Sequence, residues 1–146
     1  MYKLTLLHTM AFATLDQILL IVHSERDPND AEWSRLLHHA AWQPYSGILV
    51  VTRGGGPTPK QRKELDTYWG PGGAPPVAVA TDSRAARGVL TALHWFLRHP
   101  VRGFAACEVP VALNHLGASH LERAVLALIQ KAELRLRVSL HPPPLS

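Results

Sequence analysis

The stretch Gly47-Ile48-Leu49-Val50-Val51-Thr52-Arg53-Gly54-Gly55-Gly56-Pro57-Thr58-Pro59-Lys60-Gln61 (residues 47–61) decides how the rest of the chain is interpreted. Its first part is a continuous run of β-branched and apolar residues, which is typical of a strand buried on both faces of a sheet. Three glycines and a proline then predict a loop. Thr58 stands three residues before Gln61, with Pro59 between them, and this pattern predicts a capping box at the start of a helix that runs to about Trp69.

The same order of strand, loop and helix recurs on both sides of this stretch. Ile18–Val22 precedes a helix for which Asp27 is the predicted N-cap, and Val77–Ala80 precedes a helix that Thr81 or Asp82 would cap and that ends near His99. Five strands are expected in all, at residues 2–7, 17–22, 48–51, 77–80 and 102–105. The order predicts an α/β fold with a mixed, mostly parallel sheet of four to five strands covered by helices, with one antiparallel edge from the first two strands.

Composition limits the classes of protein to which the chain can belong. Its 146 residues are 47% hydrophobic and 18% charged, which is typical of one globular domain. Its longest apolar runs are far below the roughly 20 residues that span a bilayer, and the first residues lack a clear signal-peptide cleavage site. We therefore expect a cytoplasmic protein with no membrane contact.

Charge and cysteine content exclude further classes. The net charge of +4 comes from scattered arginines and not from a basic block, so we do not expect nucleic-acid binding. The single cysteine, Cys107, excludes an intrachain disulfide, and we expect it to be a small buried residue.

The chain is predicted to consist of an α/β domain at residues 1–117, an added C-terminal helix at residues 118–138 and a flexible tail at residues 139–146. The added helix would begin at Ser119 and carry an apolar stripe. This stripe would pack either on the domain or in an interface, and a homodimer is one expected form of that interface.

The element order resembles that of the STAS fold, the SpoIIAA-like domain family of anti-sigma-factor antagonists. The resemblance is carried by residues 48–65 and 77–96, where Val79-Ala80-Thr81-Asp82-Ser83 leads into Arg87-Gly88-Val89-Leu90. These two stretches resemble uncharacterised bacterial STAS-like or SpoIIAA-like proteins, and the resemblance extends over roughly residues 2–116. It implies a STAS-like fold and a regulatory domain that binds another protein.

The resemblance also implies a place for the regulation. In the family, a serine or threonine in an Asp-Ser-Ser-Gly-like turn before the second helix is phosphorylated and thereby switches partner binding. Here that turn reads Arg53-Gly54-Gly55-Gly56-Pro57-Thr58, so the acidic residue and the serine pair are absent. Thr58 is the nearest hydroxyl and the implied phosphosite, although its position also suits a plain N-cap.

The predicted binding surface consists of the Arg53–Thr58 loop, the second helix behind it and the neighbouring Thr81–Arg87 turn. The glycines would free backbone N–H groups to converge on an anion at a helix N-terminus, although a simple tight turn is the alternative. Side chains after the next strand would lie beside this loop, because ligands bind outside the carboxyl ends of strands in such sheets. The residues expected to bind a partner or an anion are Arg53, Gly54, Gly55, Gly56, Thr58, Lys60, Arg62, Asp82, Ser83, Arg84 and Arg87.

Catalytic and metal patterns are not found in the sequence. The nucleophile elbow Gly-x-Ser-x-Gly is missing, and no pair of histidines has the helical spacing of a zinc site. We therefore predict no catalytic residues, no metal and no cofactor. The first hypothesis is a non-enzymatic protein-interaction module. The alternatives are a small-anion or nucleotide-binding protein that uses the Gly54–Gly56 loop, and a structural protein that self-assembles through the C-terminal helix.

Overall fold

In the part of the chain that the structure describes, six strands form one sheet in the order β1-β2-β3-β4-β5-β6. The computed structural model describes residues 2–41, 43–69, 75–82 and 101–140, and the side chains of residues 2–41, 43–69, 75–82 and 101–137. The strands are β1 (Thr5–Leu6), β2 (Met10–Leu15), β3 (Ile18–His23), β4 (Gly47–Thr52), β5 (Val77–Ala80) and β6 (Val101–Phe104). The helices described are α1 (Asp30–Ala40), α2 (Pro59–Trp69), α3 (Val109–His115) and α4 (Glu122–Leu140), with 3₁₀ turns at Ala106–Glu108 and Ser119–Leu121.

The sheet is mixed, with its parallel part on one side. The strands from β3 to β6 pair in parallel, whereas β1, β2 and β3 form an antiparallel meander. The predicted α/β class with a mostly parallel sheet and one antiparallel edge is therefore confirmed. The predicted number of four to five strands is wrong, because residues 10–15 form a strand that the sequence pattern did not indicate.

The missed strand has an unusual composition for its position. Its sequence, Met-Ala-Phe-Ala-Thr-Leu, has one β-branched residue and two alanines, so its β-propensity is low. A turn at Asp16 and Gln17 joins it to β3, and Asp16 adopts a positive φ of 52°. Two-residue hairpin turns need such a φ and usually contain glycine, so the sequence carries no strong turn signal here.

Two apolar cores lie on opposite faces of the sheet. The core that α1 and α2 cover, hereafter the α1 core, consists of Met10, Phe12, Leu19, Ile21, Trp33, Leu36, Ala40, Tyr45 and Ile48. The other, hereafter the α4 core, joins the alternate residues of the strands to α3 and α4. Successive residues of a strand point to opposite faces, so the continuous apolar run of β3 supplies both cores.

The C-terminal helix α4 lies across β1, β2 and β3 on one face of the sheet. Its buried side chains belong to the α4 core: Val125, Ile129, Ala132 and Leu136. The apolar stripe is thus covered by the domain itself. Helix α4 begins at Glu122, after the 3₁₀ turn Ser119–Leu121, and not at Ser119 as predicted. It ends at Leu140, two residues into the segment predicted as a tail, and residues 141–146 lie outside the described residues.

Two local expectations are corrected. Helix α1 is capped by Asn29 and not by Asp27, because Asn29 and Glu32 form a reciprocal capping box. Cys107 is exposed and not buried, because it lies in the surface turn Ala106–Glu108. The helix predicted to begin at Thr81 or Asp82 falls almost wholly on residues 83–100, which lie outside the described residues. Among the described helices, no stretch is both long and apolar enough to cross a membrane.

Candidate functional site at the carboxyl edge of the sheet

Buried polar side chains collect at one edge of the sheet, where the parallel strands end. Those found in the described part of the chain are Thr9, His23, Ser24, Glu32, Thr52, Gln61 and Thr81. His23, Thr52 and Thr81 lie at or next to the carboxyl ends of β3, β4 and β5, and Thr9 precedes the antiparallel β2 at the same edge. This is the edge where open α/β sheets bind ligands, so the candidate site lies here.

Glu32 ties the start of helix α1 to the start of β2. Its carboxylate accepts hydrogen bonds from the Thr9 backbone N–H at 2.8 Å and from the Thr9 hydroxyl at 2.9 Å. It also accepts the Asn29 backbone N–H at 3.2 Å. Because a buried carboxylate is costly unless it is hydrogen-bonded, these three bonds account for its burial as a structural feature.

His23 is buried beside this tie and is only 2% exposed. Its Nδ1 atom has no hydrogen-bond partner among the described residues. Burial lowers the pKa of His23 to about 4, and the nearby carboxylates of Asp27 and Glu32 oppose that shift only in part. The imidazole is therefore neutral at pH 7.

The backbone N–H groups of the glycine loop all donate hydrogen bonds within the protein. Gly54 donates to the Thr52 hydroxyl at 3.0 Å, Gly55 donates to the Ser24 carbonyl at 2.9 Å, and Gly56 donates to the Asp27 carboxylate at 3.0 Å. All three donors are bonded within the protein, one of them to a carboxylate that would repel an anion, so this conformation favours the tight turn over the anion cradle. Anion binding by Gly54–Gly56 stays a prediction.

The helix start after this loop is as predicted. The Thr58 hydroxyl accepts the Gln61 backbone N–H at 3.2 Å, and the Gln61 side chain accepts the Thr58 backbone N–H at 3.0 Å. This confirms the capping box. Thr58 is partly exposed, and its implied phosphorylation stays a prediction.

Gln61 also forms hydrogen bonds to the start of helix α1 that the sequence did not indicate. Its side-chain amide donates to the Pro28 carbonyl at 3.0 Å and to the Asp30 carboxylate at 3.1 Å. Its own backbone carbonyl accepts the Trp33 indole N–H at 2.9 Å. Gln61 is buried and fastens helix α2 to the start of helix α1.

A cleft of about 330 Å³ opens where β3 and β4 end beneath helix α4, and we call it the β3–β4 cleft. It is lined by His23, Ser24, Glu25, Arg53, Glu133, Leu136 and Arg137. Arg53 donates from Nε to the Glu133 carboxylate across the cleft, and this bond raises the pKa of Arg53. Of the predicted binding residues that the structure describes, Arg53 is the one that lines this cleft.

The other predicted residues are distributed around the same edge. Asp82 lies near enough to Arg53 to raise its pKa, and Asp82 accepts the Ala106 backbone N–H at 3.2 Å. Lys60 lies on α2, where it forms an exposed ion pair with Asp30 at 3.7 Å. Arg62 lies on α2 and is partly exposed. The remaining three, Ser83, Arg84 and Arg87, lie outside the described residues.

Sequence reasoning missed the contribution of α4 to the cleft. Glu133 and Arg137 are four residues apart, one helical turn, so they point to the same side of the helix. That spacing was the available signal, but it could not indicate that this side faces the end of β4. Among the described residues, no group of three or more histidine, cysteine or acidic side chains is placed to hold a metal ion.

Comparison with protein-family models, with curated proteins and with solved structures found no match to this chain.

Proposed function

We propose that this domain binds a small ligand in the β3–β4 cleft. The observation that carries the proposal is the cleft itself, which lies at the carboxyl ends of two parallel strands and brings Arg53, Glu133 and Arg137 together. Its volume of about 330 Å³ is at the lower end of the range of small-molecule sites. The floor is partly apolar, since Leu136 is buried there.

In this proposal the ligand contacts the walls of the cleft and not the backbone of the glycine loop. The loop amides are occupied, whereas Arg137 forms no ion pair or hydrogen bond with any residue that the structure describes. An exposed arginine on a cleft wall has five donors for a ligand. The role of Gly54–Gly56 is then to shape the rim on which Arg53 stands.

A thermal-shift screen of the purified protein tests the proposal. The probes are inorganic phosphate, nucleotides, cyclic nucleotides and amino acids with their phosphorylated forms. A ligand that binds only the folded state raises the melting temperature as its concentration rises. We expect a shift for the wild type that Arg137→Ala abolishes. Arg123→Ala, an exposed arginine of the same helix outside the cleft, should retain it.

Either of two results overturns the proposal. One is the absence of a concentration-dependent shift with every probe. The other is a shift of equal size in the wild type and in Arg137→Ala, which would place the ligand elsewhere.

We propose, as a second candidate, a STAS-like protein-interaction domain that binds an acidic partner through helix α2. The supporting observation is that Gln61 is the one fully buried residue of this eleven-residue helix. Its first turns carry the exposed Lys60 and Lys63 and the partly exposed Arg62. The mixed sheet with its antiparallel edge is compatible with the STAS resemblance, and a partner on α2 would reach the Arg53–Thr58 loop.

Charge reversal on α2 tests this second candidate. The variant Lys60→Glu/Lys63→Glu is compared with the wild type as bait in native lysate, and the control is Arg123→Glu/Lys131→Glu on helix α4. All four side chains are exposed, and exposed ion pairs contribute little to stability, so both variants should fold. A protein retained by the wild type and the control but lost with the α2 variant supports the candidate. Identical retention by all three baits contradicts it.

A further inference from the structure

The Arg53–Glu133 ion pair crosses the β3–β4 cleft, since both residues line it. The two residues are eighty positions apart in the chain and join the end of β4 to helix α4. Glu133 is the more enclosed partner, with 20% of its side chain exposed against 57% for Arg53. The carboxylate therefore lies within the cleft, and the guanidinium reaches it from the rim.

Only part of the guanidinium is used. The bond to Glu133 comes from Nε, and the two Nη groups of Arg53 form no hydrogen bond with a described residue. An arginine offers five donors in a planar fork that matches carboxylate and phosphate oxygens. Arg53 therefore keeps donors for a second anionic group beside Glu133.

Arg137 supplies a second cation on the same side of the cleft. It lies one helical turn after Glu133 and is exposed. The Glu133 carboxylate is the acidic group bonded to Arg53, and Asp82 also lies near Arg53. Replacing Glu133 by a neutral residue would remove the negative charge closest to the Arg53 guanidinium, and an anion entering the cleft would supply a new one.

We infer that the β3–β4 cleft binds a carboxylate or phosphate group through Arg53 and Arg137, and that Glu133 is a built-in competitor for that group. The inference rests on the proposed ligand-binding function and adds the chemical class of the ligand. The Glu133 carboxylate lies where the anionic group of the ligand would bind Arg53. An anion must therefore either displace this carboxylate or bind beside it against electrostatic repulsion. Affinity is thereby held low in the resting protein.

Calorimetric titration with inorganic phosphate and, separately, with acetate tests the inference. Glu133→Gln removes the competing charge with little change of shape, so its Kd for at least one anion should fall roughly tenfold, since a neighbouring like charge near a protein surface costs an energy of that order. The matched control is Glu122→Gln, the same change at an exposed position of α4 outside the cleft. It should leave the Kd at the wild-type value.

Two further variants make the result specific. Glu133→Ala removes the whole carboxylate-bearing side chain and should also lower the Kd. Thermal melting followed by circular dichroism checks that each variant is folded. Adding Arg137→Ala to Glu133→Gln should cancel the gain. The phosphate and acetate arms decide which anion the geometry prefers.

The outcomes separate this inference from the proposed function. Equal Kd values for Glu133→Gln and Glu122→Gln with both anions overturn the inference. If the thermal-shift screen still finds a ligand that needs Arg137, the ligand-binding function stands without it. If neither the wild type nor Glu133→Gln binds any probe, both fail.

Discussion

Gly55 lies where the loop after β4 crosses the loop after β3. A Cβ atom added to Gly55 would lie 2.1 Å from the Arg26 carbonyl oxygen and 2.7 Å from the Ser24 carbonyl oxygen. Both neighbours are backbone atoms, and the Gly55 N–H is already bonded to Ser24. The loops can approach this closely only with glycine here, so the requirement for Gly55 is one of space.

Gly55→Ala should therefore destabilise the protein, by about 1–3 kcal/mol, as overpacking does in a tight region. Gly56→Ala is the matched control, because nothing lies within 4 Å of its added Cβ, and it should change the free energy of unfolding by less than about 1 kcal/mol. Urea denaturation of the two variants measures the difference. Equal midpoints would show that the loops separate at little cost.

His23 gives the fold a pH dependence in a defined range. Its pKa is about 4 in the folded protein, against 6.5 for an unburied histidine, and burial is the main cause. Between these two values the unfolded state binds more protons, so stability rises with pH. It should fall as the pH drops from 6.5 to 4, by roughly 3 kcal/mol at 1.36 kcal/mol per pKa unit.

Urea denaturation at a series of pH values measures this dependence. His23→Asn cannot titrate in the range, so its stability should change less than that of the wild type between pH 6.5 and 4. His39, whose pKa burial also lowers, is retained in both proteins and serves as a common background. Parallel curves for the two proteins would assign the pH dependence to other groups.

At the scale of elements, the attachment of helix α2 depends on one side chain. Gln61 donates to the Pro28 carbonyl and to Asp30. Gln61→Glu keeps the shape but replaces both donors by a carboxylate that faces two acceptors. We expect a loss of about 1–3 kcal/mol or more, the cost of buried groups without partners. Thermal unfolding measures it, and Gln130→Glu on the exposed side of α4 is the control. A similar melting temperature for both variants would contradict the attachment.

Elements that depend on local signals could be predicted from the sequence. The capping box of Thr58 and Gln61 forms within four residues, and the apolar runs of β3 and β4 mark buried strands without further context. The cap of α1 was misplaced by two residues, because the sequence pattern favoured Asp27 whereas Asn29 caps the helix. The choice depends on Asp27 bonding the distant Gly56 instead, which the local pattern does not contain.

The candidate site shows the same division more sharply. Arg53 was predicted because it directly follows a strand and precedes the glycine loop. Glu133 was not, because its contact with Arg53 depends on how α4 crosses the sheet, and nothing in a single helix sequence encodes that path. Burial of the loop donors in bonds to Ser24 and Asp27 is likewise a tertiary outcome.

At the scale of the whole molecule, the sheet couples the two cores. Residues of β2 and β3 alternate between the α1 core and the α4 core, so each strand is held from both faces. Loss of packing on one face therefore destabilises strands whose other side chains form the core on the opposite face. The cleft lies at the carboxyl edge of this sheet, where β3 and β4 end beneath helix α4.

The coupling predicts one cooperative unfolding transition. Leu36→Ala on the α1 side and Leu113→Ala on the α4 side each remove a buried side chain, and each should cost about 2–5 kcal/mol. Each variant should lower the urea midpoint of unfolding by the same amount whether unfolding is followed by far-UV circular dichroism or by tryptophan fluorescence, to which the buried Trp33 contributes. Leu134→Ala, at a leucine that is 60% exposed, should leave both curves in place. If Leu113→Ala moved the circular dichroism curve and left the fluorescence curve unchanged, the faces would unfold separately, and the sheet would not transmit packing from one core to the other.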